Sequence, residues 1–289
     1  MNDQPIKKQT FLQGTAVLAM ATVLVKLMGF LFKVPLNNII GEDGFGYFNT
    51  AYDVYNVLLM ISTTGLPVAM SRMISQAQTL GNHAQIKRIY RTSLYVFLTI
   101  GMVGSLGMLF FCRQLSVMVT TNENSWAAIA ALAPCVLLIC LVSAYRGFFQ
   151  GQSNMTPTSV SQIFEAVTRL VVGLGLAWLV MKLTGKAYVR MQGIVLAPGE
   201  TAQDYGDITL AAGGAILGVT LGSLISVVYL HHKFRQSNQI LSLGGGTAKS
   251  TRSTMKELLS IAVPITLGSA GLQIINLFDT MIYMRRLTG

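Results

Sequence analysis

The sequence predicts an all-α polytopic membrane protein, on three observations. Apolar residues make up 52% of the 289-residue chain and charged residues only 11%, with a mean hydropathy of +0.55. A soluble domain carries about 25% charged residues. Apolar runs of 18 to 25 residues recur along the chain, the length that crosses a ~30 Å hydrocarbon slab. Basic residues gather in alternate connections between those runs, the pattern of a chain threaded through a bilayer.

Seven segments are expected. The first runs from Phe11 to Pro35, the second from Tyr47 to Ser71, the third from Leu94 to Phe111 and the fourth from Ala127 to Phe149. The fifth covers Gln162 to Met181, the sixth Leu210 to Leu230 and the seventh Leu258 to Met284. Between the first two, Gly41-Glu42-Asp43-Gly44 reads as a tight turn. The recurrences Gly214, Gly218, Gly222 and Gly101, Gly104, Gly107 read as small-residue faces for close helix contact. Residues 185–209 read as an outer excursion, and 233–257, with Gly244 to Gly246 and five basic residues, as a flexible inner linker suited to an anionic leaflet.

Twelve Lys and Arg residues fall on one side of these segments and seven on the other. The side with twelve holds Lys7 and Lys8, which places the N-terminus in the cytoplasm. Tyr47, Phe48, Tyr52 and Tyr55 then fall in the outer aromatic belt. The net charge of +10 follows this loop pattern, so no nucleic-acid partner is expected. Cys112, Cys135 and Cys140 have no metal or disulfide spacing. The run after Lys8 is too long for a cleavable signal core. No phosphate-binding loop, nucleophile elbow or zinc motif occurs, so neither an enzyme, a cofactor nor a metal is expected.

Charges inside the apolar runs are the candidate functional residues, because a bilayer-buried charge needs water, a counter-charge or a ligand. Lys26 lies in the middle of the first segment, with Lys33 two turns further along the same side. They read as the substrate-binding pair for an anion. Asp53, Asp279 and Glu165 read as cavity or ion-coupling carboxylates, open to H+ or Na+. Glu165 and Arg169 share a helix face. With Arg146 they form either a structural pair or an inner gate. Pro67 and Pro264 interrupt helical hydrogen bonding and read as hinges. His83, His231 and His232 read as solvated.

Three stretches carry a family resemblance: KLMGFLFKVPL followed by GEDGFGYF, then STTGLPVAMSRMISQ, then YRGFFQGQSNMTPTSVSQIFEAVTR. The chain resembles the polysaccharide-biosynthesis flippases related to stage V sporulation protein B and to MurJ, which share a superfamily with MATE-type exporters. The resemblance implies two lobes rocking around a central basic cavity at the plasma membrane. It implies an undecaprenyl-diphosphate-linked cell-wall or polysaccharide precursor as substrate, with membrane lipids as surroundings. Lys26 aligns with a cavity arginine of that family, and a second falls at Phe32, one position from Lys33. The chain then divides into a six-helix lobe at 1–232, the linker at 233–257, and the first helix of a second lobe at 258–289. Further sequence or a partner chain is expected to supply the rest of that lobe. A cation-coupled multidrug exporter of the MATE type, or a truncated membrane protein that transports nothing, are the alternatives.

Overall fold

The computed structural model describes residues 11–120, 125–192, 206–241 and 246–288. Among the described residues the fold is all helical: α1 (Phe11–Thr63), α2 (Gly65–Thr79), α3 (His83–Phe110), α4 (Cys112–Thr120), α5 (Trp126–Gly151), α6 (Thr156–Thr168), α7 (Leu174–Gln192), α8 (Ile208–Leu241) and α9 (Thr251–Thr288). A π-helical turn, Arg169–Gly173, joins α6 to α7, making them one continuous rod. Five helical stretches are long and apolar enough to cross a membrane. The first of these bends at Gly41 and forms two legs. Counting the two legs separately and adding α9, which is not one of those five, gives seven long segments among the described residues, and the chain is a multi-pass membrane protein.

The expected turn at 41–44 is instead a bend of one residue. Gly41 has φ 71° and ψ −179°, a region essentially reserved for glycine. The helix resumes at once, so Glu42 and Asp43 open the second leg, where carboxylates favour the positive end of the helix dipole. Pro35 lies inside the first leg, which runs on to Ile40 rather than stopping at the proline. The second leg ends at Thr63, and α2 starts at Gly65. Pro67 therefore stands in the first turn of α2, where a missing N–H costs nothing. It kinks no helix, and the break lies three residues earlier, at Thr64. Pro264, by contrast, is inside α9 as expected.

The centre of the lobe is α5 with α8. About two thirds of the α5 span and 61% of the α8 span are buried, against 22% or less for the other three spans. The core has two depths along α5. Ile129, Leu132 and Val136 pack with Leu36, Ile40, Phe48, Tyr55 and Ile216. Ile139, Tyr145 and Phe148 pack with Met70, Ile74, Ile89, Phe97 and Leu230. The expected aromatic belt is part of this core: Phe48 and Tyr55 are buried, and Phe48 and Tyr52 have ring centroids 4.8 Å apart. They point inward because positions 48, 52 and 55 recur at helical spacing on the face turned to α5.

The small-residue face on α8 is a contact surface. Gly214 faces Leu176, Gly218 faces Gly173, and a Cβ on Gly222 would come within 2.9 Å of the Glu165 carbonyl oxygen. Without a hydrophobic force between helices in lipid, such close approach supplies the van der Waals attraction. Gly101 likewise meets Cys140 and Leu137 of α5, but Gly107 faces open space.

Most of the expected inner linker is helix, because 233–241 extend α8 and 251–257 open α9. The described part between them is tethered to α3. Asn82 caps α3 by accepting the Gln85 N–H, and its Nδ2 donates to the Thr247 carbonyl at 2.8 Å. The Lys249 N–H donates to Gln85 Oε1, and Arg88 Nη1 donates to Thr251 Oγ1. Of the expected outer excursion, 185–192 extend α7 and 193–205 lie outside the described residues.

Candidate functional site

Three charged side chains meet inside the lobe. Arg146 lies on α5, five residues before its end, and Glu165 is the tenth residue of α6. At 1.5 Å per residue, Glu165 stands roughly 13 Å along α6 from its start. Arg146 Nη2 is 3.1 Å from Glu165 Oε2, and Arg169 Nη2 is 3.8 Å from Glu165 Oε1. Side-chain exposures of 16%, 13% and 25% for Arg146, Glu165 and Arg169 place the trio in a cleft rather than on the lipid surface.

Each member is held by its local structure. Arg146 Nε donates to Ser161 Oγ at 3.0 Å, and that hydroxyl donates to the Thr158 carbonyl. The Ser161 carbonyl in turn accepts from Ser226 Oγ of α8. Arg169 is the first residue of the π-helical turn, an insertion that recurs at functional sites because it re-aims the side chains around it. Its guanidinium lies 5.9 Å from the ring centroid of Tyr52, on the second leg of α1. Gly173 closes the same turn and lets Phe32 and Gly218 come against it.

The cleft has a volume of about 190 Å³ and is lined by Thr22 and Val25 of α1 together with Arg146, Gln162, Glu165, Ala166 and Arg169. Two guanidinium groups against one carboxylate leave it one positive charge in excess. Three buried polar atoms near the trio, Tyr52 Oη, Gln162 Oε1 and Arg169 Nε, make no hydrogen bond among the described residues. Buried polar groups are normally satisfied, so this cluster has spare capacity to bind.

The other expected site residues fall around this centre rather than in it. Lys26 is exposed on the first leg of α1, one helical turn beyond Thr22 and next to Val25, both of which line the cleft. It does not itself line the cleft. Lys33 is also exposed, whereas Phe32, where the resemblance puts a second basic residue, is buried on Phe48 with centroids 5.6 Å apart. Asp53 is partly buried on the second leg, and Asp279 is exposed on α9. Neither lines the cleft. Pro67 is buried, with its Cα 3.2 Å from where a Gly147 Cβ would stand. His231 is not merely solvated, because its Nδ1 lies 2.7 Å from Tyr145 Oη. Tyr52, Gln162 and Thr22 were missed by sequence reasoning. Tyr52 carried a signal in standing on the same helical stripe as Phe48 and Tyr55; Gln162 and Thr22 carried none.

Comparison with known proteins now adds the family context. The family described as polysaccharide biosynthesis protein matches residues 11–289. Stage V sporulation protein B of Bacillus subtilis is 29% identical over 90% of this chain and 46% of its own length. The lipid II flippase MurJ of the same organism is 26% identical over 93% of this chain and 48% of its own length. The chain thus spans about half the length of these curated relatives. Among solved structures, an inward-facing MATE family multidrug resistance transporter of the MOP superfamily superposes with a TM-score of 0.64 at 12% identity, covering 90% of this chain and 55% of that one. A MOP superfamily transporter from Pyrococcus furiosus superposes at 0.65 and 13% identity, covering 92% and 54%. These structural likenesses establish the fold.

Proposed function

Because the chain belongs to the polysaccharide biosynthesis protein family, we propose that it moves an anionic lipid-linked sugar precursor across the plasma membrane. The substrate class is a polyprenyl diphosphate carrying a cell-wall or polysaccharide unit, with undecaprenyl as the lipid. The observation that carries this reading is the excess of positive charge in the α1–α5–α6 cleft, with Lys26 one helical turn along α1 from Thr22. A cationic surface inside a bilayer is costly unless it meets an anion. A diphosphate is an anion that a lipid tail delivers to that depth.

The mechanism is alternating access without covalent chemistry. The lipid tail stays in the bilayer while the head crosses between two lobes, of which 1–232 is the first and α9 opens the second. The N-terminus and the 246–250 connection lie in the cytoplasm. Asp53 and Asp279 are the candidate acids for coupling to H+ or Na+. Glu165 is the poorer cation ligand because two arginines already share it. Pro264, inside α9, is a hinge between the lobes.

Cation-coupled drug export is the second reading, and the likeness to MATE-type folds favours it. The electropositive cleft opposes it, since a like charge repels a cationic drug. A cysteine at Thr22, in an otherwise cysteine-free protein, separates the two. A polyprenyl diphosphate sugar is expected to protect it from alkylation, and a cationic dye is not. Protection by the dye alone overturns the reading.

A further inference from the structure

Arg146, Glu165 and Arg169 are arranged as a site that exchanges one anion for another. The carboxylate bridges two guanidinium groups that would otherwise repel each other across the cleft, but it holds them unequally, at 3.1 and 3.8 Å. Arg146 is anchored independently by its Nε bond to Ser161. Arg169 has Nε unpartnered, and the hydroxyl of Tyr52, whose ring faces that guanidinium, is unpartnered too. The site therefore has a fixed arginine, a loosely held arginine and an unused hydroxyl donor around a carboxylate.

We infer that this cleft is a phosphoryl-binding site in which Glu165 acts as an internal competitor. The phosphoryl oxygens of a ligand take the place of the Glu165 carboxylate on Arg146 and Arg169, and the carboxylate takes them back when the ligand leaves. The inference rests on the flippase reading above and adds the residue that governs release. Guanidinium groups match carboxylate and phosphate with the same forked geometry, so one pair of arginines serves both partners. A volume of about 190 Å³ holds about six waters at ~30 Å³ each. That is room enough for a phosphoryl group. A site that bound a diphosphate with two uncontested arginines would hold it too tightly to release. Differential binding, not tight binding, gives turnover.

The test is titration of the protein in lipid nanodiscs with farnesyl diphosphate and, separately, with inorganic pyrophosphate at fixed ionic strength. Glu165→Gln is expected to bind farnesyl diphosphate at least about tenfold more tightly than wild type, because the competing charge is gone. It is also expected to flip lipid-linked precursor more slowly. Arg169→Gln keeps the Arg146–Glu165 pair and is expected to bind at least about tenfold more weakly. Binding of both probes assigns the site to any phosphoryl anion, and binding of farnesyl diphosphate alone assigns it to a lipid-borne one. Either outcome supports the site. Unchanged or weaker affinity in Glu165→Gln overturns it, and should that variant fail to fold, wild-type affinity in Arg169→Gln does so instead. If Lys26-dependent flipping persists beside either of those results, the exchange idea alone falls. If wild type binds neither probe, the flippase reading falls with it.

Discussion

The Arg146 guanidinium lies 3.1 Å from the Glu165 carboxylate, 19 positions away along the chain and on a different helix. That pair ties α5 to α6 inside the lobe. Arg146→Leu leaves the carboxylate with Arg169 alone, at 3.8 Å. Breaking a fully buried pair costs about 3–5 kcal/mol. Here both side chains keep some exposure, 16% and 13%, so the expected loss is smaller, about 2 kcal/mol. Thermal unfolding in nanodiscs measures it, and an unchanged melting temperature contradicts the pairing.

The bend at Gly41 gives a second prediction. Gly41→Ala places a Cβ at φ 71° and ψ −179°, at a strain of about 1–3 kcal/mol. Nothing packs within 4 Å of that position, so the loss is conformational and not steric. Gly46→Ala, also in open space but inside the second leg, is expected to be neutral or mildly stabilising. Equal melting temperatures for the two variants contradict the strained bend.

Close packing of α8 on α6 gives a third. Gly222→Val drives a branched side chain into the Glu165 backbone, which lies 2.9 Å from the position of an added Cβ. Overpacking of this kind costs about 1–3 kcal/mol. Because Glu165 moves with its backbone and competes for Arg146 and Arg169, the variant is expected to change anion affinity as well as lose stability. Wild-type anion affinity in a destabilised Gly222→Val contradicts the link between the glycine face and the cleft.

Much of the fold was legible and much of the site was not, for separate reasons. Long apolar runs mark spans because lipid imposes their length, so α5 fell where expected, while α3 and α8 cover their expected spans and run 11 residues further, to His83 and Leu241. The side a residue faces is harder to read, because core and lipid are both apolar. Phe48 and Tyr55 fit an aromatic belt or a core stripe equally well by spacing, and they took the core. Backbone breaks were misplaced for a related reason. The sequence Gly41-Glu42-Asp43-Gly44 signals a turn, yet one glycine sufficed, and the two acids found a favourable place at a helix start. Glu165 and Arg169 were visible as a helical pair, and Arg146 was a reasonable third. The π-helical turn that sets Arg169 beside Tyr52 leaves no mark in residue spacing. Lys26 stood out as a charge in an apolar run, and the structure has its neighbours Thr22 and Val25, not Lys26 itself, lining the cleft.

Orientation is tested by cysteine labelling in an otherwise cysteine-free protein. Thr247→Cys, on the connection tethered to Asn82, is expected to react with an impermeant reagent only after lysis. Asp204→Cys is expected to react in intact cells. The reverse pattern contradicts a cytoplasmic N-terminus.

The central claim is that a basic cleft inside this lobe carries an anionic lipid head across the membrane. Flipping of an undecaprenyl-diphosphate-linked sugar in proteoliposomes, compared for wild type, Lys26→Ala and Lys26→Arg, tests it most directly. Removing a charged hydrogen bond of ~1.5–3 kcal/mol is expected to slow the Ala variant by more than about tenfold. The Arg variant, which keeps the charge, is expected to remain active. Flipping by Lys26→Ala at the wild-type rate, with membrane insertion intact, contradicts the account.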